Sequence, residues 1–261
     1  MTFEKTIADS SAVFEPTVKA AKKGAAAVVS AAKMLDGGQI RAISRRLDEA
    51  QEELSKALEG LRAFQSSWEE YGLNEYFGSE GYVAELTASL QELGVDFHPL
   101  DDVFYVYPSL LRLDPAATTA RIDKKAEPRL RPAKLAQLLR DLQNRPSRFP
   151  VKRFLSALFK VYKALASRNL KRSEDWTGRP IFLRDIYDML ASAPDTDYSI
   201  REFVRDVYLL DASGEPLEVS GYIATLEASS ATRDTAKTLS IITRDGQRRL
   251  YCAIRFDHIA R

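Results

Sequence analysis

Two consecutive segments repeat apolar residues at alternating three- and four-residue steps, a spacing that a pair of packed helices satisfies and a strand does not. Val18, Ala21, Ala25, Val28, Ala32 and Leu35 carry the first repeat; Ile40, Ile43, Leu47, Ala50, Leu54, Ala57, Leu61, Phe64 and Trp68 carry the second. Between them lies Asp36-Gly37-Gly38-Gln39, and paired glycines can adopt the left-handed backbone that ends one helix and turns the chain back. The expectation is an antiparallel helical hairpin over residues 1–72, coiled-coil-like, with alanines at the seam allowing close approach. The second helix reads as longer by about three turns, so Leu61, Phe64 and Trp68 at its far end need a further partner. That partner is the rest of the chain or a second copy, which makes a homo-oligomer through these helices one expectation. Lys19, Lys22, Lys23 and Lys33 lie on the first helix, but its alanine-rich apolar side is too weak to hold a membrane surface.

Charge is segregated along the rest of the chain. Ala116 to Ile186 holds eighteen Lys/Arg against six Asp/Glu, whereas Gln39 to Pro115 holds six against fifteen, inside a total of only +1. A block of one sign creates a field that captures phosphates or an acidic protein surface. The single cysteine, Cys252, rules out an intrachain disulfide, and no window of the sequence is apolar for the 18 or so residues a membrane span requires. The opening residues lack the apolar run of a signal peptide, so the expected compartment is cytoplasmic.

Residues 73–131 read as a small acidic, mixed α+β region. A short helix is expected over Glu80–Leu93, and strands over Val103–Tyr107, Ser109–Leu113 and Thr119–Lys124, interrupted at Pro108 and Asp114-Pro115. Helical signals return in residues 132–261. Leu135, Leu138, Leu139 and Leu142 mark one apolar face; Val151, Phe154, Leu155, Leu158, Tyr162 and Leu165 mark a second, in a helix ending near Ser167. A third helix is expected from Phe182 to Ala193 and a fourth from Ser199, where Ser199-Ile200-Arg201-Glu202 forms a capping box. After Gly214 the period changes to two. Strands are expected over Leu217–Leu226, Lys237–Ile242 and Gln247–Phe256, the last two forming a hairpin around Arg244-Asp245-Gly246-Gln247. Alternation in the last strand puts Leu250, Cys252, Ile254 and Phe256 on one face. The order of helices followed by a terminal β-hairpin resembles a winged-helix arrangement. The fold class is therefore α+β and mostly helical: an N-terminal helical hairpin, a small mixed middle region, and a C-terminal winged-helix-like unit.

The candidate nucleic-acid contacts follow from that placement. Lys152, Arg153, Lys160 and Lys163 cluster opposite the apolar face of their helix, and Arg168, Lys171, Arg172 and Arg179 extend the positive region into the next loop. A winged-helix module would set its last helix in the major groove, with Arg201 and Arg205 as exposed cations. Glu202, Asp206 and Asp211 offset them, and no Asn or Gln on that helix is available to pair with adenine. The hairpin residues Arg244, Arg248 and Arg249 are candidates for wing contacts to phosphate. The expected function is a non-enzymatic nucleic-acid-binding subunit using phosphate contacts; the alternative is an assembly protein whose basic block docks an acidic surface.

Catalytic signals are sparse. Asp114, Asp123 and Lys125 loosely fit the carboxylate and Asp-x-Lys pattern of a Mg²⁺-dependent nuclease, but the flanking Lys124, Glu127 and Arg129 favour an exposed charged strand. His98 and His258 lack ligand-spaced companions, Ser109 and Cys252 lack a nucleophile motif, and no glycine-rich loop could cradle a phosphate. No cofactor or metal is expected.

Overall fold

The computed structural model describes residues 2–100, 102–146, 149–168, 175–192, 197–227 and 237–259. They fold as a mostly helical α+β protein. The chain divides into two compact units: Met1–Glu92, Asp114–Thr118 and Arg129–Ala136 form the first, and Leu93–Leu113, Thr119–Pro128 and Gln137–Arg261 the second. The segment 73–131 is thus shared between them.

In the first unit, α1 (Phe3–Leu35) and α2 (Ile40–Glu70) run antiparallel around the glycine turn, followed by α3 (Leu73–Phe77) and α4 (Glu80–Glu92). The two long helices are of nearly equal length, 33 and 31 residues. The expected three-turn mismatch disappears because helix α1 starts at Phe3, well before the first heptad valine. Thr2 caps it, and the Glu85 carboxylate of α4 accepts hydrogen bonds from the Phe3 N–H at 2.8 Å and the Glu4 N–H at 3.2 Å. An anion there satisfies amide donors that a helix start leaves open and complements the helix dipole.

The hairpin seam differs from the expected one by a single residue. Gly24, Ala27 and Ala31 are buried on α1 in place of Ala25, Val28 and Ala32, whereas Val28 and Leu35 are 44% and 63% exposed. On α2, Ala50 and Ala57 are buried as the heptad reading expects, but Ile40, Leu47, Leu54, Leu61 and Trp68 are exposed. Close approach explains the shift. A Cβ at Gly60 would stand 2.2 Å from Thr17 Oγ1, and one at Gly24 would stand 2.7 Å from Leu54 Cγ. Helices that near each other select the smallest side chains for the seam and displace larger aliphatics to its flank.

In the second unit a five-stranded antiparallel meander comes first: β1 (His98–Leu100), β2 (Val103–Val106), β3 (Ser109–Asp114), β4 (Thr119–Ile122) and β5 (Lys125–Glu127). Helix α5 (Pro132–Gln143) crosses the unit boundary and leads to α6 (Val151–Ser167). Then follow β6 (Ile181–Phe182), α7 (Leu183–Ala191), α8 (Ile200–Asp211), β7 (Glu218–Val219), β8 (Tyr222–Glu227), β9 (Leu239–Ile242), β10 (Arg248–Tyr251) and β11 (Ala253–His258). One sheet has the order β6-β11-β8-β7, and β9 pairs with β10 separately. The short strand between α6 and α7 therefore pairs with the last strand, which in turn pairs with the strand after α8; this is the connectivity of a winged helix, with a second hairpin inserted between its final two strands.

The expected continuous strand Gln247–Phe256 is broken at Cys252, whose N–H donates to the Glu227 carbonyl and whose carbonyl accepts from the Leu183 N–H. The break resets the alternation, and Tyr251 is buried where Leu250 was expected. Val103, Tyr105, Tyr107 and Leu110 of the meander share one core with Leu155, Leu158 and Tyr162 of α6, Phe203 and Val207 of α8, and Ile254 and Phe256 of β11. The meander thus shares the core of the second unit's helices and β11. Among the described residues no helix is long and apolar enough to cross a membrane.

Candidate phosphate-binding surface

Helix α6 contains no acidic residue. Leu155, Leu158, Phe159, Tyr162 and Ala166 are buried in the core, and at 100° per residue Lys152, Arg153, Lys160 and Lys163 share one arc of roughly 100° that runs from the flank of the buried face to its far side, where all four are exposed. Arg168, at the C-cap, is exposed as well. None of the five meets a carboxylate among the described residues. From Lys152 to Lys163 the row spans roughly 17 Å, about half a turn of a nucleic-acid duplex. Ser156 lies within it and donates its hydroxyl proton to the Lys152 carbonyl at 2.7 Å.

The far end of the row is braced by aromatic packing. Lys163 Nζ sits 5.6 Å from the ring centre of Trp176, and Trp176 packs on Phe159, Tyr162 and Tyr222 at centroid separations of 5.0 to 5.9 Å. Tyr162 donates its hydroxyl proton to the Arg179 carbonyl at 2.7 Å. That bond fixes the backbone from which the exposed Arg179 side chain projects. Lys171 and Arg172 lie outside the described residues.

The arginines of α8 are placed differently. No residue of that helix is exposed. The capping box at Ser199 and Glu202 forms as expected, but Arg205 is only 9% exposed. It bonds to the Asp206 carboxylate at 2.7 Å and to Asp123 in the turn between β4 and β5. Tyr198 donates to Asp206 at 2.7 Å from the other side, and burial pushes the Tyr198 phenol far above its ordinary range. Arg201 stands 3.5 Å from Asp102, and Tyr107 packs on Tyr208 at a centroid separation of 4.9 Å. The expectation that Arg201 and Arg205 are exposed cations on a groove-reading helix is therefore corrected. Helix α8 packs on β9 and α6, and Asp102 and Asp123 of the meander, with Asp206 of the helix itself, lie against its two arginines.

The hairpin cations are intermediate. Arg249 pairs with Asp211 at 2.7 Å, Arg244 reaches Asp96 at 3.9 Å, and exposed Arg248 lies 3.5 Å from the Ser240 hydroxyl. Beside the hairpin, an open cleft of about 440 Å³ brings Arg244 together with Arg145, Tyr107, Tyr208 and Phe149. Arg145 is absent from the sequence-derived set because an Arg-Pro pair after a helix reads only as a stop signal. No local pattern pointed to this cleft, because its walls come from the β2–β3 turn, the α5–α6 connection, α8 and the β9–β10 turn.

The two nuclease-like carboxylates are engaged in backbone hydrogen bonds. The Asp123 carboxylate accepts from the Leu110 N–H at 3.0 Å and faces Arg205, while Asp114 accepts from the Ala117 N–H at 3.1 Å. Among the described residues no group of three His, Cys, Asp or Glu side chains is spaced to hold a metal ion. Comparison of the chain with protein-family models, curated proteins and solved structures returns no match.

Proposed function

We propose that the protein is a non-enzymatic nucleic-acid-binding subunit that grips backbone phosphates along α6 without reading bases. The observation that carries this reading is the acid-free helix whose Lys152, Arg153, Lys160 and Lys163 are exposed and unneutralised. Cations held in a row on a rigid helix match a phosphate backbone and release its counterions, whereas cations already paired to carboxylates gain little by binding. The enclosure of α8 supports the second half of the proposal, since an enclosed helix offers no side chain to base edges in a major groove.

The test is fluorescence anisotropy with labelled duplex DNA, single-stranded DNA and RNA over a salt series. Neutralising four duplex phosphates gives a log–log salt slope of about −3.6, so affinity falls roughly 100-fold between 50 and 200 mM salt. Reversing all four charges to Glu abolishes the signal while the circular dichroism spectrum is retained. Scrambling the probe sequence leaves affinity unchanged. Absence of binding to every nucleic acid at low salt, with retained binding to poly-glutamate, overturns the proposal in favour of an acidic protein partner.

A further inference from the structure

Within the first unit, the close-packed seam leaves the hairpin with an apolar face that is exposed among the described residues. Val28 and Leu35 each lie four residues after a buried seam position of α1, and Leu54 and Leu61 each lie four after a buried seam position of α2. In antiparallel neighbours, an equal offset turns both stripes to the same side of the pair. On α2 the stripe is Ile40, Leu47, Leu54, Leu61 and Trp68, seven residues apart throughout and all exposed. Heptad spacing sustained over the exposed side of a whole helix is the pattern of a second helix–helix contact.

We infer that this face binds a second copy of the chain, its hairpin antiparallel to the first, to form a four-helix bundle with two-fold symmetry. The charges flanking the stripe select this occupant and its direction. One edge of the α2 stripe carries Arg41, Asp48, Ser55, Arg62 and Glu69, again seven residues apart. The signs run plus, minus, neutral, plus, minus, and are therefore opposite at equal distances from Ser55. An antiparallel copy sets Arg41 against Glu69 and Asp48 against Arg62 at both ends, with Ser55 on the two-fold axis and Leu47 over Leu61. A parallel copy would set each charge against its own kind and bring together the turn ends, where Lys33, Arg41, Arg45 and Arg46 outnumber Asp36. On α1, Lys22 comes close to its own copy near the axis, an exposed repulsion that solvent screens. A face roughly 40 Å long and two helices wide buries about 800 Å² per copy, the scale of a stable dimer.

The experiment uses the full chain. Light scattering coupled to gel filtration at micromolar concentration is expected to give twice the chain mass. Leu47→Glu with Leu61→Glu is expected to halve that mass without loss of helicity, because both side chains are exposed and neither is among the buried seam residues. Arg41→Glu and Glu69→Arg each weaken the dimer severalfold, and the double swap restores it. Ser55→Cys treated with a short bismaleimide yields a covalent dimer, whereas Arg41→Cys does not. A monomeric native chain, an oligomer of higher order, a native mass retained by the double glutamate variant, or ready cross-linking of Arg41→Cys to itself would each overturn the inference.

Discussion

Helices α6 and α8 belong to the same unit and pack against the same core, yet they use their cations in opposite ways. Both present Phe, Leu and Val to the interior. On α6 every charged residue is basic and faces solvent; on α8, Arg205 lies among Asp123, Asp206 and Tyr198. A winged-helix reading by element order assigns the recognition role to α8. The environments leave exposed cations on α6 and paired ones on α8. What decides a cation's fate is the set of acids and the covering elements around it; for α8 the acids are its own Asp206 with Asp102 and Asp123 of the meander, and the covering elements include β9 and α6.

The largest expected effect tests that contrast through stability. Arg205→Ala leaves two carboxylates without their counter-ion, one of them, Asp206, largely buried, and is expected to destabilise the protein by about 3 kcal/mol in urea unfolding. Lys160→Ala on α6 stays within about 0.5 kcal/mol. If the two substitutions cost the same, the contrast between a structural arginine and a solvent-facing row collapses.

A second expectation concerns alkaline pH. Burial raises the phenols of Tyr198, Tyr107 and Tyr251 above their ordinary value. Their neutral forms are favoured in the folded state, so the stabilisation is complete below the unfolded value of about 10 and is lost as pH rises above it. The unfolding free energy from urea titrations is expected to carry no contribution from these phenols up to that point and then to fall by about 1.4 kcal/mol per pH unit for each phenol. Tyr198→Phe removes one phenol's share of the slope. An unchanged slope would detach the α8 network from the alkaline response.

The smallest effect isolates one residue of the α6 row. Lys163→Gln is expected to reduce the magnitude of the salt slope for duplex binding by about one while leaving sequence preference unaltered. Because Lys163 lies over Trp176, nucleic-acid binding by the native chain is also expected to change tryptophan fluorescence. A salt slope identical to the native one would remove Lys163 from the contact set.

The local architecture was largely legible in the residues because it follows from period and punctuation. The glycine turn, the capping box at Ser199, the α6 amphipathy and the strands around Pro108 all rest on neighbours within a few positions. The hairpin seam was misplaced by one residue, since heptad spacing marks apolar side chains without indicating which stripe is inside. Only the approach of Gly60 to Thr17 and of Gly24 to Leu54 decides that. The candidate surface divided along the same line. Lys152, Arg153, Lys160 and Lys163 could be read as an exposed row because their helix lacks acids, whereas the pairing of Arg205 with Asp123 spans 82 residues.

The sequence alone determined the helix and strand periods, the acid-free character of α6 and the antisymmetric charges around Ser55, all properties of residues at fixed spacing along one element. Tertiary structure decided which apolar stripe forms the seam, that Cys252 breaks the last strand, and that α8 is enclosed. Those outcomes depend on backbone separation and on which distant carboxylates share a cation's low-dielectric surroundings, and neither is set by spacing along the chain.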